Sequence, residues 1–157
     1  MNCASQQKIL LIGVGNPLRG DDAAGRLVAN LIRERQPLSF RVIEHDGEGA
    51  SLIEAWAGAQ KVVVVDAVSS EAPAGTIYRF DAVEQPLPGK VFQNSTHAFG
   101  LCEAVELART LHRLPRQLII YGIAGKSFST GEHLSAEVES AVSHVVEQIL
   151  KETEGKA

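Results

Sequence analysis

Lys61-Val62-Val63-Val64-Val65-Asp66 is the stretch that decides the architecture. Successive side chains of a strand point to opposite sides, so four valines in a row present apolar surface on both faces. Such a strand is stable only when both faces are covered, the situation of a central strand in a parallel sheet. The run ends in an acid. A carboxylate beside an apolar strand is costly unless it is paired or ligates something, so Asp66 reads as a loop hydrogen bond or a functional group.

The flanking sequence repeats the alternation. Upstream, Lys8 to Ile12 is a short apolar run that stops at Gly13-Val14-Gly15-Asn16-Pro17, a strand entering a tight loop. Ala24, Leu27, Val28, Leu31 and Ile32 then trace the stripe of an amphipathic helix, ended by Pro37. Phe40 to Glu44 reads as a strand closed by Asp46-Gly47-Glu48-Gly49, and Ser51 with Glu54 is a capping-box signature for a helix through Trp56. Downstream, Thr76 to Phe80 alternates as a strand near an edge, and Pro86 to Gly89 is a loop. Leu101, Ala104, Val105, Ala108 and Leu111 mark a helix, Leu118 to Tyr121 a buried strand, and Val138 to Ile149 a last helix. Segments 1–7 and 151–157 read as frayed tails. The order predicts an α/β fold: one domain over 1–157, a three-layer α/β/α sandwich around a mainly parallel twisted sheet.

Composition removes several classes of function. The 157 residues are 45% hydrophobic and 22% charged, which argues against disorder. Lys and Arg number 15 against 19 Asp and Glu, so no general basic surface invites nucleic acid. Cys3 and Cys102, the two cysteines, exclude a disulfide scaffold and a cysteine zinc site. No apolar run is long enough to cross a membrane, and the chain reads as cytoplasmic.

Ligands of parallel sheets bind at the carboxyl ends of the strands. Gly15 to Gly20 has the spacing of a phosphate loop, but Asp21 and Asp22 stand where Lys and Ser or Thr would follow. Two acids there repel phosphate and take the favourable end of the helix dipole themselves, so nucleotide binding is disfavoured. Helix capping explains one such acid; two exceed the need. Asp22 follows the first strand, Asp66 ends the central one, and His97 begins the helix before the next. Two carboxylates and an imidazole at one sheet edge suit a borderline divalent ion such as zinc or nickel, or a water to be activated. His45, His112, His133 and His144 read as turn or surface residues. There is no Gly-x-Ser-x-Gly elbow, and Cys102 falls within a helical stripe, so a covalent nucleophile has no candidate.

Gly13-Val14-Gly15-Asn16-Pro17-Leu18-Arg19-Gly20-Asp21-Asp22, Val65-Asp66-Ala67, Ser95-Thr96-His97, Gly122-Ile123 and Leu134-Ser135 together resemble the [NiFe]-hydrogenase maturation endopeptidases. The resemblance runs in order from about Ile9 to Ile149. It implies an aspartyl-type endopeptidase that removes a C-terminal peptide from the hydrogenase large-subunit precursor after nickel insertion. The nickel then belongs to the substrate, and no tightly bound cofactor is expected. Asp22, Asp66 and His97 map onto the family's metal contacts, with Asp22 and Asp66 also catalytic. Asn16 and Asp46 are carried over as substrate contacts. The chain departs from the pattern at three positions. Asp22 replaces a commoner Glu, Ala23 a commoner Gly, and Glu48 interrupts a usual glycine pair. Whether a carboxylate or the metal activates the water is open at this level. Two other readings are a non-catalytic nickel carrier and a phospho-receiver-like binding module using Asp66 and Lys126.

Overall fold

The four valines lie in the middle of a sheet, each 4% exposed or less. Burying a valine stabilises a fold by on the order of 1.5–3 kcal/mol, so this strand is a large single contributor. The structure, a computed structural model, describes residues 8–35, 37–92 and 98–154. Its five strands are β1 (Ile9–Val14), β2 (Phe40–His45), β3 (Lys61–Val68), β4 (Ile77–Asp81) and β5 (Gln117–Ala124). They lie in the order β2-β1-β3-β5-β4. The first three and β5 run parallel, and β4 pairs antiparallel with β5 at one edge.

Period-two alternation sends each strand's side chains to two cores. On one face α1 (Ala24–Glu34) and α5 (Ala136–Glu154) cover Leu11, Val63, Val65 and Tyr121. On the other, α2 (Gly49–Trp56) and α4 (Leu101–Thr110) cover Leu10, Ile12, Val62 and Val64. A single helical turn, α3 (Gly89–Phe92), starts at the end of the expected Pro86 to Gly89 loop. The expected three-layer α/β/α sandwich is the observed one.

Glycine sets how close α1 comes to the sheet. A Cβ on Gly25 would lie 2.3 Å from the Val65 carbonyl oxygen and 2.4 Å from that of Val14. The first turn of α1 therefore rests directly on β1 and β3. Whatever precedes it is held over their carboxyl ends.

Two expectations are corrected. The Ser51 and Glu54 box does not start α2. The helix begins earlier, capped by the Glu48 carboxylate, which accepts the Ala50 and Ser51 N–H groups at 2.9 and 2.8 Å. The tail expected from Lys151 is helical to Glu154. Glu152 fixes it, accepting the Tyr121 hydroxyl at 2.9 Å and lying 2.9 Å from Arg79 Nε. Residues 1–7 and 155–157 lie outside the described ones. No described helix is long and apolar enough to cross a membrane.

Candidate active site at the carboxyl edge of the sheet

The loop after β1 is wired to itself. Gly15 has φ 142°, and a Cβ there would fall 1.9 Å from the Asp22 carbonyl oxygen, so only glycine fits. The Asn16 N–H donates to Asp22 Oδ2 at 2.9 Å, and the Leu18 N–H donates to Asn16 Oδ1 at 2.9 Å. Arg26 Nε holds the Gly15 carbonyl at 2.5 Å. A short 3-10 turn, Gly20–Ala23, then delivers Asp22 above the sheet and runs into α1. Ala23 sits there with φ −75°, a conformation open to any residue, so the departure from glycine costs nothing locally.

Asp66 arrives from β3. It shares a face with Val64 and Val68, on the side of α2 and α4, in place of the next core side chain. Its register partner on β5 is Gly122, which puts no side chain beside it. Asp46, just past β2, completes the acidic rim. Its Oδ1 accepts the Glu48 N–H at 3.0 Å and lies 3.5 Å from His45 Nδ1. His45 is pushed below its usual pKa by burial, against the raising pull of Asp46 and Glu48, and its Nδ1 accepts the Gly47 N–H at 2.9 Å.

Asp22, Asp46 and Asp66 line one cavity of about 240 Å³. Arg19 lines it as well, and Val68, Phe92, Leu101 and Phe128 form apolar walls. Burial pushes the Asp66 carboxyl well above the ordinary carboxylate range. The negative charge of Asp22 adds to the shift, and the Ala67 backbone N–H opposes it. The charge of Asp22 therefore disfavours the charged form of Asp66, beyond what burial alone does.

Asp21, next in sequence, does something else. It is fully buried and points away from this cavity into the 125–135 segment. Its carboxylate accepts the N–H groups of Lys126, Ser127 and Ser135 at 2.7, 3.1 and 2.7 Å, and the Ser135 hydroxyl at 3.0 Å. Burial alone would raise its pKa, but these hydrogen bonds outweigh it and leave the group below its usual value. The second acid that capping did not explain is thus a latch for a distant loop. That loop carries Phe128 to the cavity.

The sequence-predicted residues divide accordingly. Asp22, Asp66 and Asp46 meet at the cavity. Asn16 is not among its lining residues; its Oδ1 accepts the Leu18 N–H in the loop's own turn. His97 lies outside the described residues, and among the described ones no cluster of three or more His, Cys, Asp or Glu could hold a metal ion. Sequence reasoning missed Arg19 and Phe128 as lining residues. Arg19 stood inside the motif, whereas nothing in the pattern marked Phe128. The receiver-like reading fits poorly: that class places its fourth strand between the third and fifth, whereas β4 is an antiparallel edge here.

Residues 26–152 match the HycI hydrogenase maturation protease family. The hydrogenase 2 maturation protease of Escherichia coli is 29% identical, over 91% of this chain and 88% of that protein. The [NiFe] hydrogenase maturation protease HybD of Thermococcus kodakarensis superposes with a TM-score of 0.73 at 27% identity, covering 92% of this chain and 97% of that one. The hydrogenase maturating endopeptidase HybD of E. coli reaches 0.79 at 23% identity, over 96% and 94%, a likeness of fold alone. On the extent of the family match, this chain belongs to the hydrogenase maturation protease family and is a peptidase.

Proposed function

We propose that the protein is the endopeptidase that removes the C-terminal peptide of a [NiFe]-hydrogenase large-subunit precursor after nickel insertion, with the nickel supplied by the substrate. One observation carries the reading. Asp22 and Asp66 face one cavity closely enough that the charge of one raises the pKa of the other. Like charges at one cavity are unfavourable by themselves and favourable around a divalent cation, whose charge offsets theirs. His97 would add a nitrogen ligand, and together the three would grip the precursor's nickel. Asp46, on the same cavity, is proposed as a substrate contact; Asn16 serves the site by shaping its loop.

The hydrolysis balances on these groups. Water oxygen adds to the scissile carbonyl carbon, and the carbonyl π pair moves onto its oxygen. The water's proton passes to a carboxylate oxygen of the pair not engaged by the metal, then to the amide nitrogen as the C–N bond breaks. The products are a new C-terminal carboxyl and a free amine. Asp22 has one oxygen tied to the Asn16 N–H, which orients the carboxylate and leaves the other oxygen for metal or proton. Mixing the purified protein with precursor, nickel-loaded and nickel-free, and weighing the large subunit tests this. A mass loss confined to the nickel-loaded precursor is expected. Cleavage by Asp66→Ala at the wild-type rate would sink the proposal.

A further inference from the structure

A tetrahedral intermediate places negative charge on the former carbonyl oxygen, in a cavity already lined by three carboxylates. Hydrolysis there needs a donor aimed at that charge. Much of the loop backbone is already committed, because each N–H has one hydrogen to give. Gly15 N–H donates to the His45 carbonyl at 3.0 Å, and Gly47 N–H to His45 Nδ1 at 2.9 Å. Asn16 and Leu18 donate within their own loop, and Gly125 N–H bonds the Val68 carbonyl at 2.9 Å. One cation shares the cavity with the acids: Arg19 is the only Lys or Arg among the described lining residues.

Its guanidinium is held but not used up. Nε donates to the Phe128 carbonyl at 3.3 Å, which fixes the plane of the group against the loop latched by Asp21. The two terminal nitrogens have no hydrogen-bond or ion-pair partner among the described residues. A planar fork anchored at one nitrogen, with two donors to spare, suits a developing oxyanion. We infer that Arg19 is a catalytic residue of the peptidase, its terminal nitrogens donating to the carbonyl oxygen as it takes up charge. The inference rests on the hydrolysis proposed above at Asp22 and Asp66.

The test measures kcat and KM for cleavage of nickel-loaded precursor by the wild type, Arg19→Gln and Arg19→Lys, with a thermal melt of each. Loss of an oxyanion donor costs about 100- to 1000-fold in kcat, so Arg19→Gln is expected to fall by that much with KM nearly unchanged. Arg19→Lys is expected to recover part of the loss. If Arg19→Gln cleaves within threefold of wild type, the inference is overturned. It is equally overturned if the loss lies in KM together with a lowered melting temperature, the pattern of a loop anchor alone. Should Arg19→Gln fail to fold, Arg19→Lys decides: a lowered kcat at unchanged KM supports the role, and wild-type kcat removes it. Wild type that leaves the nickel-loaded precursor intact refutes the proposed function itself, a result distinct from every outcome for Arg19.

Discussion

Asp21 and Asp66 are both acids taken out of water at the same end of one sheet, and their charge states are driven in opposite directions. Asp21 is the more deeply buried, yet it is held below its usual pKa because four hydrogen bonds converge on its carboxylate. Asp66 keeps some exposure, yet it is pushed well above, by burial and by the charge of Asp22. Burial sets the cost of a charge; the partners decide whether it is met. A saturated acid is a structural part. An acid left short of donors and crowded by another acid is disfavoured in its charged form.

The sharpest way to break the comparison is to make the same change at both positions. Asp66→Asn is expected to lower cleavage of nickel-loaded precursor by about 100- to 10,000-fold, the range of a general acid–base contribution. Asp21→Asn should instead destabilise the fold. An amide that replaces the carboxylate turns an N–H toward groups that are themselves donors, and each buried group left unsatisfied costs about 1–3 kcal/mol. Thermal melts check this, with about 2–4 °C expected per kcal/mol for a chain of this size. Equal loss of activity with no change in melting temperature would show that Asp21 belongs to the site and not to the scaffold.

The smaller effects concern pH. Asp21 has a folded pKa below its unfolded value of 3.8, so its stabilisation is present above that pH and is lost as pH falls through the folded value. The deficit of Asp21→Asn should therefore narrow in acid. Asp66 runs the other way. Its folded pKa lies above 3.8, so its penalty is absent below that pH and grows as pH rises through the folded value. Asp66→Asn should thus be more stable than wild type at neutral pH, by about 1 kcal/mol, within the range of a single stabilising substitution, and melt higher. The smallest expected change is in Asp22→Asn, which removes the like charge and should bring the Asp66 carboxyl back toward the ordinary range, read by carboxyl NMR titration. An unmoved Asp66 would mean that burial alone raises it.

Much of this was legible in the chain. The four valines, the stripe from Ala24 to Ile32 and the last helix fixed the layers, because burial demands are local and periodic. The strand-end position of Asp66 and the loop position of Asp22 followed from strand polarity. The start of α2 was misread because a Glu does the capping of a preceding turn that Ser51 was expected to do. The helical residues from Lys151 were misread because Glu152 is fixed by Tyr121 and Arg79, from strands 31 and 73 residues away. The turn-forming hydrogen bond that Asn16 Oδ1 accepts from the Leu18 N–H shows only in the closed loop.

Periodicity and strand direction thus determined, from sequence alone, an α/β sandwich with Asp22 and Asp66 at one edge. That Asp21, the neighbour of Asp22, is a latch for a distant loop was decided only by the tertiary structure. The hydrogen-bond donors that tame Asp21 come from residues 105 to 114 positions away. Asp66 is unsettled first by its own burial and then by the charge of Asp22, brought to the same sheet edge. A carboxylate's state is set by what surrounds it in space, and that surrounding exists only once distant segments have packed.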